Sequence, residues 1–568
     1  MVPGASVLGK PARRKTFVAF EGGGAKGFVH LASLREIERR AEFELAGFAG
    51  TSAGALVAAL AAVGYRSTEL FHASKLEQTA TGERREITSI LDILKVEKAT
   101  DLFGSDWRLM RLLRNPGALK WVFLPVLAIY VALFSVLFFG WIWLATGPTV
   151  EGLVQVRAAY WGAFIGVMVI TSLVALALLS FLKGFRGLAS LERLKAGLDE
   201  AMAIKLGYDR THRVPFGDLR DHGKTLKVVA ANLSTGEMRL FSTDSPGCKD
   251  IFVADAVAAS VAVPLVFKPQ RVARSARALG PRAQSEEAQQ LYCDGGIVSN
   301  LPAWVFEEET VNDARATVIA SHISDIAPGA FIGAGFSLLR RIGATAAFGS
   351  KSLNMRGVRG LVTLEINSRF GLLDFDYDKR VEAFLEDYYA AWRAAHLQLN
   401  SFLAEEGFLD NVFNRISERF ETSGDFSEPM QLRASLVREI GVTSDHATPY
   451  QLSYCRGFKS HADRYISIRH GGSMVEAGLQ LGKPKFLDLT AEDDQIEFYR
   501  IDDDHLIRDR TPDCRKWSLV VPLDVPASRD FAKTVAVAFD GAVPLGVKKD
   551  ILVQDIEAHV GKCWRPED

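Results

Sequence analysis

The chain has 568 residues, 48% of them hydrophobic, with 67 basic and 68 acidic side chains and a net charge of −1. At about 150 residues per domain this length holds two to four domains, and the balanced charge excludes an overall field that would draw nucleic acid or an anionic membrane. The five cysteines, Cys248, Cys293, Cys455, Cys514 and Cys563, are an odd, scattered set without a C-x-x-C pair, which argues against a disulfide framework or a zinc site and fits a reducing compartment.

Residues 1–15 read as a tail whose basic residues are followed by no apolar core, so no signal peptide is expected. Lys15-Thr16-Phe17-Val18-Ala19-Phe20 then reads as a short buried strand running into Glu21-Gly22-Gly23-Gly24-Ala25-Lys26-Gly27 and an apolar-periodic helix, Phe28 to Ile37. Strand, glycine loop and helix together make an anion cradle with three readings. Gly22, Gly24 and Gly27 satisfy G-x-G-x-x-G, but a dinucleotide site also wants an acidic residue about 20 residues on, and the next strand leads to Ser52 instead. A phosphate-binding P-loop needs Gly-Lys-Ser/Thr, whereas Lys26 is followed by Gly27 and Phe28. The third reading is an oxyanion hole whose backbone amides sit near a carbonyl under attack.

The attacking group would come from Phe48-Ala49-Gly50-Thr51-Ser52-Ala53-Gly54, an apolar run that turns into the alanine-rich helix Ala55 to Val63. G-x-S-x-G between strand and helix is a nucleophile elbow, where a tight turn holds the serine hydroxyl out from the sheet edge. Gly50 and Gly54 let backbone segments approach where a Cβ would crowd them, and the helix points its N-terminal amides at a developing anion. The same pentapeptide also suits a small-residue turn with no chemistry.

Residues 68–102 are polar and charged and predict one or two surface helices. The composition then changes sharply: residues 121–150 and 158–182 contain no Asp, Glu, Lys or Arg. About 25 helical residues reach about 37 Å, enough to cross a hydrocarbon core of about 30 Å, so two transmembrane helices are expected at 121–145 and 158–182. Trp121, Tyr130, Trp141, Trp143, Tyr160 and Trp161 suit an interfacial belt. Arg108, Arg111, Arg114 and Lys120 precede the first span and Lys183, Arg186, Arg193 and Lys195 follow the second, against only Glu151 and Arg157 between them. Basic residues stay cytoplasmic, which puts both ends of the hairpin in the cytoplasm. The alternative is a buried hairpin in a large core.

Beyond the hairpin, Pro215 to Leu219, Leu226 to Asn232 and Leu240 to Ser242 predict that the sheet resumes. Residues 271–289 predict a surface loop, and Gln290-Leu291-Tyr292-Cys293-Asp294-Gly295-Gly296 precedes one more buried strand, Thr317 to His322. Residues 331–420 predict mainly helix. The last quarter predicts strands at Tyr465–Ile468, Ile496–Ile501, Trp517–Leu523 and Thr534–Phe539 and a helix at Lys549–Val560.

The glycine-rich loop, the G-x-S-x-G elbow and the late Asp294-Gly295-Gly296 occur in the order of the patatin-like phospholipase family, which the chain resembles over Thr16 to His322, minus the hairpin. Ala254 to Pro264 looks like that family's helix leading to its aspartate strand. The resemblance implies a three-layer α/β/α domain over 16–330 interrupted by the two-helix hairpin at 121–182. A helical region over 331–425 and a C-terminal α+β domain over 430–568 follow, the latter faintly similar to a GAF-type sensory domain.

It also implies a carboxylic ester hydrolase of phospholipase A or lysophospholipase type. Ser52 would be the nucleophile, Asp294 its direct base, and Gly22, Gly23 and Gly24 the oxyanion hole. Lys26, Gly27, Gly50, Gly54, Gly295 and Gly296 would support those motifs. His30 reads as a packed or capping residue, and His212, His222 and His322 show no acidic neighbour pattern marking a catalytic base. Eleven dispersed histidines form no metal constellation, so neither calcium nor another cofactor is expected.

The partners expected are membrane phospholipid and the bilayer, with no nucleic acid. A small-molecule or protein regulator of the C-terminal domain and self-association both stay open. A different class of function fits the same motifs: a membrane scaffold or signalling receptor whose hydrolase domain is a silent relic.

Overall fold

The computed structural model describes residues 13–72, 88–103, 189–264, 266–274, 290–313, 316–324, 361–422, 432–439, 450–457, 467–468, 474–491, 515–523, 534–542 and 549–564. Single positions 135, 138, 140, 142, 161, 166, 171, 358, 494 and 545 are described besides. Two sheets organise these residues, the first of them built around the strand that ends at the glycine loop.

In that first sheet, strands β1 (Arg14–Phe20), β2 (Phe43–Thr51), β3 (Thr225–Asn232), β4 (Glu237–Ser242), β5 (Tyr292–Asp294), β6 (Thr317–Ser324) and β7 (Leu361–Asn367) run in the order β4-β3-β2-β1-β6-β7, and β5 pairs with β3. The pairs from β3 through β7 are parallel, and β4 and β5 lie antiparallel to β3. Parallel strands covered on both faces read as continuous apolar runs, and β1 obeys: Val18, Ala19 and Phe20 are fully buried.

Alternate residues serve opposite faces. Val18, Phe20, Phe48, Val228 and Ala230 join the core under helices α1 (His30–Arg39), α2 (Ala53–Ala62), α3 (Glu192–Leu206) and α4 (Val253–Val261). Phe17, Ala19, Ala49, Val229 and Val318 join a second core closed by Leu301, Val305 and Phe306.

The second sheet comprises β8 (Leu432–Glu439), β9 (Tyr450–Gly457), β10 (Ser467–Ile468), β11 (Lys485–Asp488), β12 (Trp517–Pro522) and β13 (Thr534–Gly541). It is antiparallel throughout, in the order β10-β9-β8-β13-β12-β11. Helix α6 (Met474–Leu481) packs on it. Helix α5 (Val381–Thr422), of 42 residues, contacts α1 and β7 of the first sheet, then β8, β9 and the terminal helix α7 (Lys549–Trp564). Glu406 on α5 takes Arg14 from β1 and Arg456 from β9, the latter at 2.7 Å.

Several expectations change. Pro215 to Leu219 is not a strand: Pro215 caps a short helix, Phe216–Asp221, and contributes only an isolated bridge to Phe252. Residues 331–420 are not wholly helical, because β7 lies within them and extends the first sheet past 330 to Asn367. Within 68–102 the described parts are not a polar surface layer: Leu70, Phe71, Leu94 and Leu102 are buried.

Among the described residues no helix is long and apolar enough to cross a membrane. The spans expected at 121–145 and 158–182 lie outside the described residues save for the single positions named above, so the fold lends the hairpin no support. The strand expected at Ile496–Ile501 also lies outside them, and of Tyr465–Ile468 only β10 is described.

Candidate functional site

β2 stops at Thr51, its last partner on β3 being Val229, and β5 takes up the same edge of β3 one residue on, with Ala230 opposite Asp294. One strand therefore ends where the other begins. That handover, and nothing near in sequence, sets Asp294 against Ser52. The Ser52 hydroxyl donates to Asp294 Oδ2 at 2.6 Å, and both residues are buried.

Ser52 is the N-cap of α2 with φ 54° and ψ −126°. A positive φ is strained for a residue carrying a Cβ, and such strain persists only where the surroundings over-determine it. Here the Ser52 N–H donates to Ser260 Oγ at 2.9 Å, Ser260 Oγ donates to Val229 O at 2.6 Å, and Ala55 N–H returns to Ser52 O at 2.9 Å. The flanking glycines meet backbone closely. A Cβ on Gly50 would run into the Gly54 carbonyl, and one on Gly54 would sit 2.7 Å from Glu21 O. Gly27 abuts Ala53, and Gly295 abuts Val229 O.

Asp294 has two partners besides its strand. Its Oδ1 accepts the Gly296 N–H at 2.6 Å, while its own N–H donates to Ala262 O at 2.9 Å. Burial raises its pKa from 3.8 to about 6, against the opposing pull of Ser52 and Gly296. At neutral pH it is an ionised carboxylate with an appetite for a proton well above that of an exposed aspartate.

The glycine loop closes the other side. The amide of Gly22 is already committed, donating to Asn300 O at 3.0 Å, so it is not one of the free donors expected of the loop. The Gly23 and Gly24 amides donate to no carbonyl among the described residues. Gly24 has φ +53°. Lys26 lies half-buried on the 3-10 turn Gly24–Val29.

Glu21 anchors the loop from beneath. Its Oε1 accepts Asn300 Nδ2 at 2.7 Å, and its Oε2 accepts His322 Nδ1 and the Ile323 N–H, both at 2.6 Å. His322 thus has an acidic partner 301 residues away that its sequence neighbourhood conceals, and His212 pairs with Asp218 at 2.8 Å. The carboxylate bonded to the serine is nonetheless Asp294. His30, buried, donates Nε2–H to Glu21 O and accepts from Ser321 Oγ, both at 2.8 Å; burial lowers its pKa to about 4 and keeps it neutral.

Ser52 lines a cavity of about 600 Å³ whose wall is mainly apolar, including Leu56, Val57, Leu102, Phe267, Phe375 and Phe384, with Asp92 and Glu97 also on it. An extended alkyl chain suits it. Among the described residues no three His, Cys, Asp or Glu side chains are placed to hold a metal, and Cys248 and Cys293 are buried and free.

Residues 18–307, just over half of the chain, match the model of patatin-like phospholipases. The chain belongs to the patatin-like phospholipase family. An uncharacterized Bacillus subtilis (strain 168) protein, YqhO, is 24% identical over 294 residues, which are 51% of this chain and 66% of that one, so the chain spans just under two thirds of this relative.

Among solved structures, VipD from Legionella pneumophila covers 68% of this chain and 67% of its own at 17% identity and a TM-score of 0.29. Full-length ExoU of Pseudomonas aeruginosa, in complex with SpcU, covers 69% of this chain and 53% of its own at 15% identity and a TM-score of 0.23. The patatin-like match contains Ser52, Asp294 and the glycine loop. It stops short of residues 372–384, which complete the cavity wall, and lends the faint GAF-type resemblance of 430–568 no support.

Sequence reading missed Ser260, Asn300 and Glu21, although all three lie within or beside quoted motifs. Tyr377 touches the loop from 352 residues away and Leu372 beside it does the same, and nothing local to them signals it.

Proposed function

We propose that this patatin-like chain is a membrane-anchored serine acyl hydrolase of phospholipase A or lysophospholipase type, cleaving acyl esters of glycerophospholipids at the cytoplasmic leaflet. The observation that carries it is the 2.6 Å bond from Ser52 Oγ to a buried Asp294, at the mouth of an apolar cavity and beside the uncommitted amides of Gly23 and Gly24.

As Ser52 Oγ attacks the ester carbonyl, its proton passes to Asp294 Oδ2. The oxyanion forms beside Gly23 and Gly24, and losing one such donor typically costs about 10² to 10³ in rate. Collapse expels the glycerol alkoxide, which takes the proton from Asp294. Water, deprotonated by the same carboxylate, then attacks the acyl-enzyme and releases the fatty acid. The cavity holds the acyl chain, each buried CH₂ contributing about 0.8 kcal/mol.

Anchoring rests on the composition of 121–182 and on the flanking basic residues Arg108, Arg111, Arg114, Lys120, Lys183 and Arg186, worth about 1 kcal/mol each against anionic lipid close to the surface; Arg193 and Lys195 lie on α3, where Lys195 pairs with Glu192 and Asp255. A hairpin at both ends of which the catalytic segments resume would hold Ser52 where extraction of a lipid is shortest.

A fluorophosphonate should label wild type and not Ser52→Ala, and wild type should release fatty acid from phosphatidylcholine vesicles. Replacing residues 120–183 by a short polar linker should leave cleavage of small soluble esters and impair attack on vesicles. An unlabelled Ser52 favours the silent-relic scaffold instead. A linker variant as fast on vesicles as the full chain removes the anchor from the proposal.

A further inference from the structure

The glycine loop is held from outside the family-matched region. After β7 the chain turns at Gly371, whose N–H donates to Asp374 Oδ2 at 2.8 Å while Asp374 N–H returns to Gly371 O at 3.1 Å. This turn presents Leu372 O to the Ala25 N–H at 2.8 Å. Five residues later the Tyr377 hydroxyl donates to Ala25 O. One residue of the loop is therefore gripped on both its donor and its acceptor by a single seven-residue strap.

The grip reaches Gly24. A Cβ there would collide with Leu372 O, and Gly24 holds φ +53° against that carbonyl. Its amide, one of the two left free for an oxyanion, takes its direction from a backbone that the strap fixes from behind. The strap is itself fixed. Tyr377 packs on Phe28 at 5.6 Å and Phe384 at 5.2 Å, Phe28 stacks on Phe384 at 4.1 Å, and Arg380 lies 3.5 Å from Asp374. Phe384 belongs to α5, the helix that continues into the second sheet.

We propose that the Gly371–Tyr377 strap sets the geometry of the oxyanion loop, with Tyr377 as a positioning residue that acts through Ala25 on the Gly23 and Gly24 amides. This rests on the acyl-hydrolase reading and deepens it: the catalytic geometry of this chain depends on a segment beyond the patatin-like match. Donors that must lie 2.7–3.1 Å from the oxyanion tolerate little displacement, and misplacement of about 1 Å can cost about 10²-fold.

The test compares full-length wild type, Ser52→Ala, Tyr377→Phe and Asp374→Ala on p-nitrophenyl butyrate, with thermal unfolding of each. Tyr377→Phe keeps the ring and loses the bond. It should lower kcat by about 10- to 100-fold with KM within about twofold, and slow fluorophosphonate labelling of Ser52 by a similar factor. A merely structural role would shift stability and leave kcat at its wild-type value.

Asp374→Ala frees the turn that aims Leu372 O, and should lower kcat in the same direction. It decides the matter should Tyr377→Phe not fold. Folded variants with kcat within about twofold of wild type overturn the strap while leaving Ser52 chemistry intact, whereas Ser52→Ala retaining activity overturns the hydrolase reading itself.

Discussion

Replacing Asp294 with asparagine should abolish activity and stabilise the protein, and both effects come from the same ionisation. Burial holds the Asp294 pKa at about 6 instead of 3.8, so at neutral pH the fold contains a buried charge that the unfolded chain carries in water. The step between those two values amounts to about 3 kcal/mol. The sign follows from the direction. With the folded-state pKa above the unfolded one, wild type loses stability as pH rises from about 4 to about 6 and stays lower above that. Asparagine does not titrate. Its carbonyl oxygen can still accept the Gly296 N–H, and its NH₂ can donate to Ser52 Oγ, so both contacts survive with the serine hydroxyl reversed into an acceptor.

The gain over wild type should be about 3 kcal/mol at pH 8 and roughly half of that at pH 5. Urea unfolding of both proteins at the two pH values measures it. Hydrolysis by the variant should fall by about 10² to 10⁴, while wild-type kcat/KM rises through pH 6 and levels off. A variant less stable than wild type at pH 8, or a difference that does not change between pH 5 and pH 8, would refute the claim that burial of this carboxylate tunes the base.

Two further outcomes follow from the elbow and the cavity. Ser260→Ala leaves the buried Ser52 N–H and Val229 O without their shared hydroxyl, and should cost about 2 kcal/mol of stability and lower kcat; unfolding midpoints unchanged from wild type would show that the strained turn does not need it. Leu56→Trp, one turn along α2 from Ser52 and on the cavity wall, should cut kcat/KM for long acyl esters by about fourfold for each CH₂ it excludes. A profile across butyryl to palmitoyl esters that keeps its wild-type slope would place the acyl chain elsewhere.

The parts of the site that were legible are those whose geometry leaves few choices of residue. An elbow that brings Gly50 onto Gly54 and Gly54 onto Glu21 O admits almost nothing but glycine, so the turn shows in the letters. The same holds for Gly295 under Val229 O. Hydrogen bonds to backbone leave no such trace. The commitment of the Gly22 amide to Asn300 O and the bond from the Ala25 N–H to Leu372 O join backbone to backbone, so they depend on the course of the chain and not on any side chain, while the Tyr377 hydroxyl reaches Ala25 O from a stretch with no local sign of it.

Within the fold, β8 shows why the second sheet was harder to read than the first. It lies inside the sheet with Ala434, Leu436 and Val437 fully buried, yet Arg433 is buried as well, its guanidinium Nε donating to Asp540 at 2.9 Å. A charged residue in a core strand breaks the apolar pattern, and the carboxylate that neutralises it stands 107 residues away. In β7 the alternation was present in Leu361-Val362-Thr363-Leu364-Glu365-Ile366-Asn367 and was overshadowed by the long helix that follows.

A carboxylate paired directly with a serine has to solve a problem that a histidine between them would not pose. At 2.6 Å there is no room for an imidazole, so the proton must go to the carboxylate itself, and an exposed aspartate ionising at 3.8 would scarcely accept it. Burial supplies the missing basicity and charges the fold for it. The backbone carries a second cost at Ser52, whose φ of 54° strains a residue with a Cβ, whereas Gly24 takes φ +53° freely because it has none. Each is pinned by partners from remote chain segments, Ser260 for the serine, Leu372 for the glycine loop, Ala262 and Ala230 for the aspartate. These pins hold strain in place without relieving it, as expected where a site trades stability for preorganised geometry. The first sheet, with Ser260 and Ala262 from the end of α4, holds the serine and the aspartate. The loop that faces them needs the strap, and through it α5 and the module beyond.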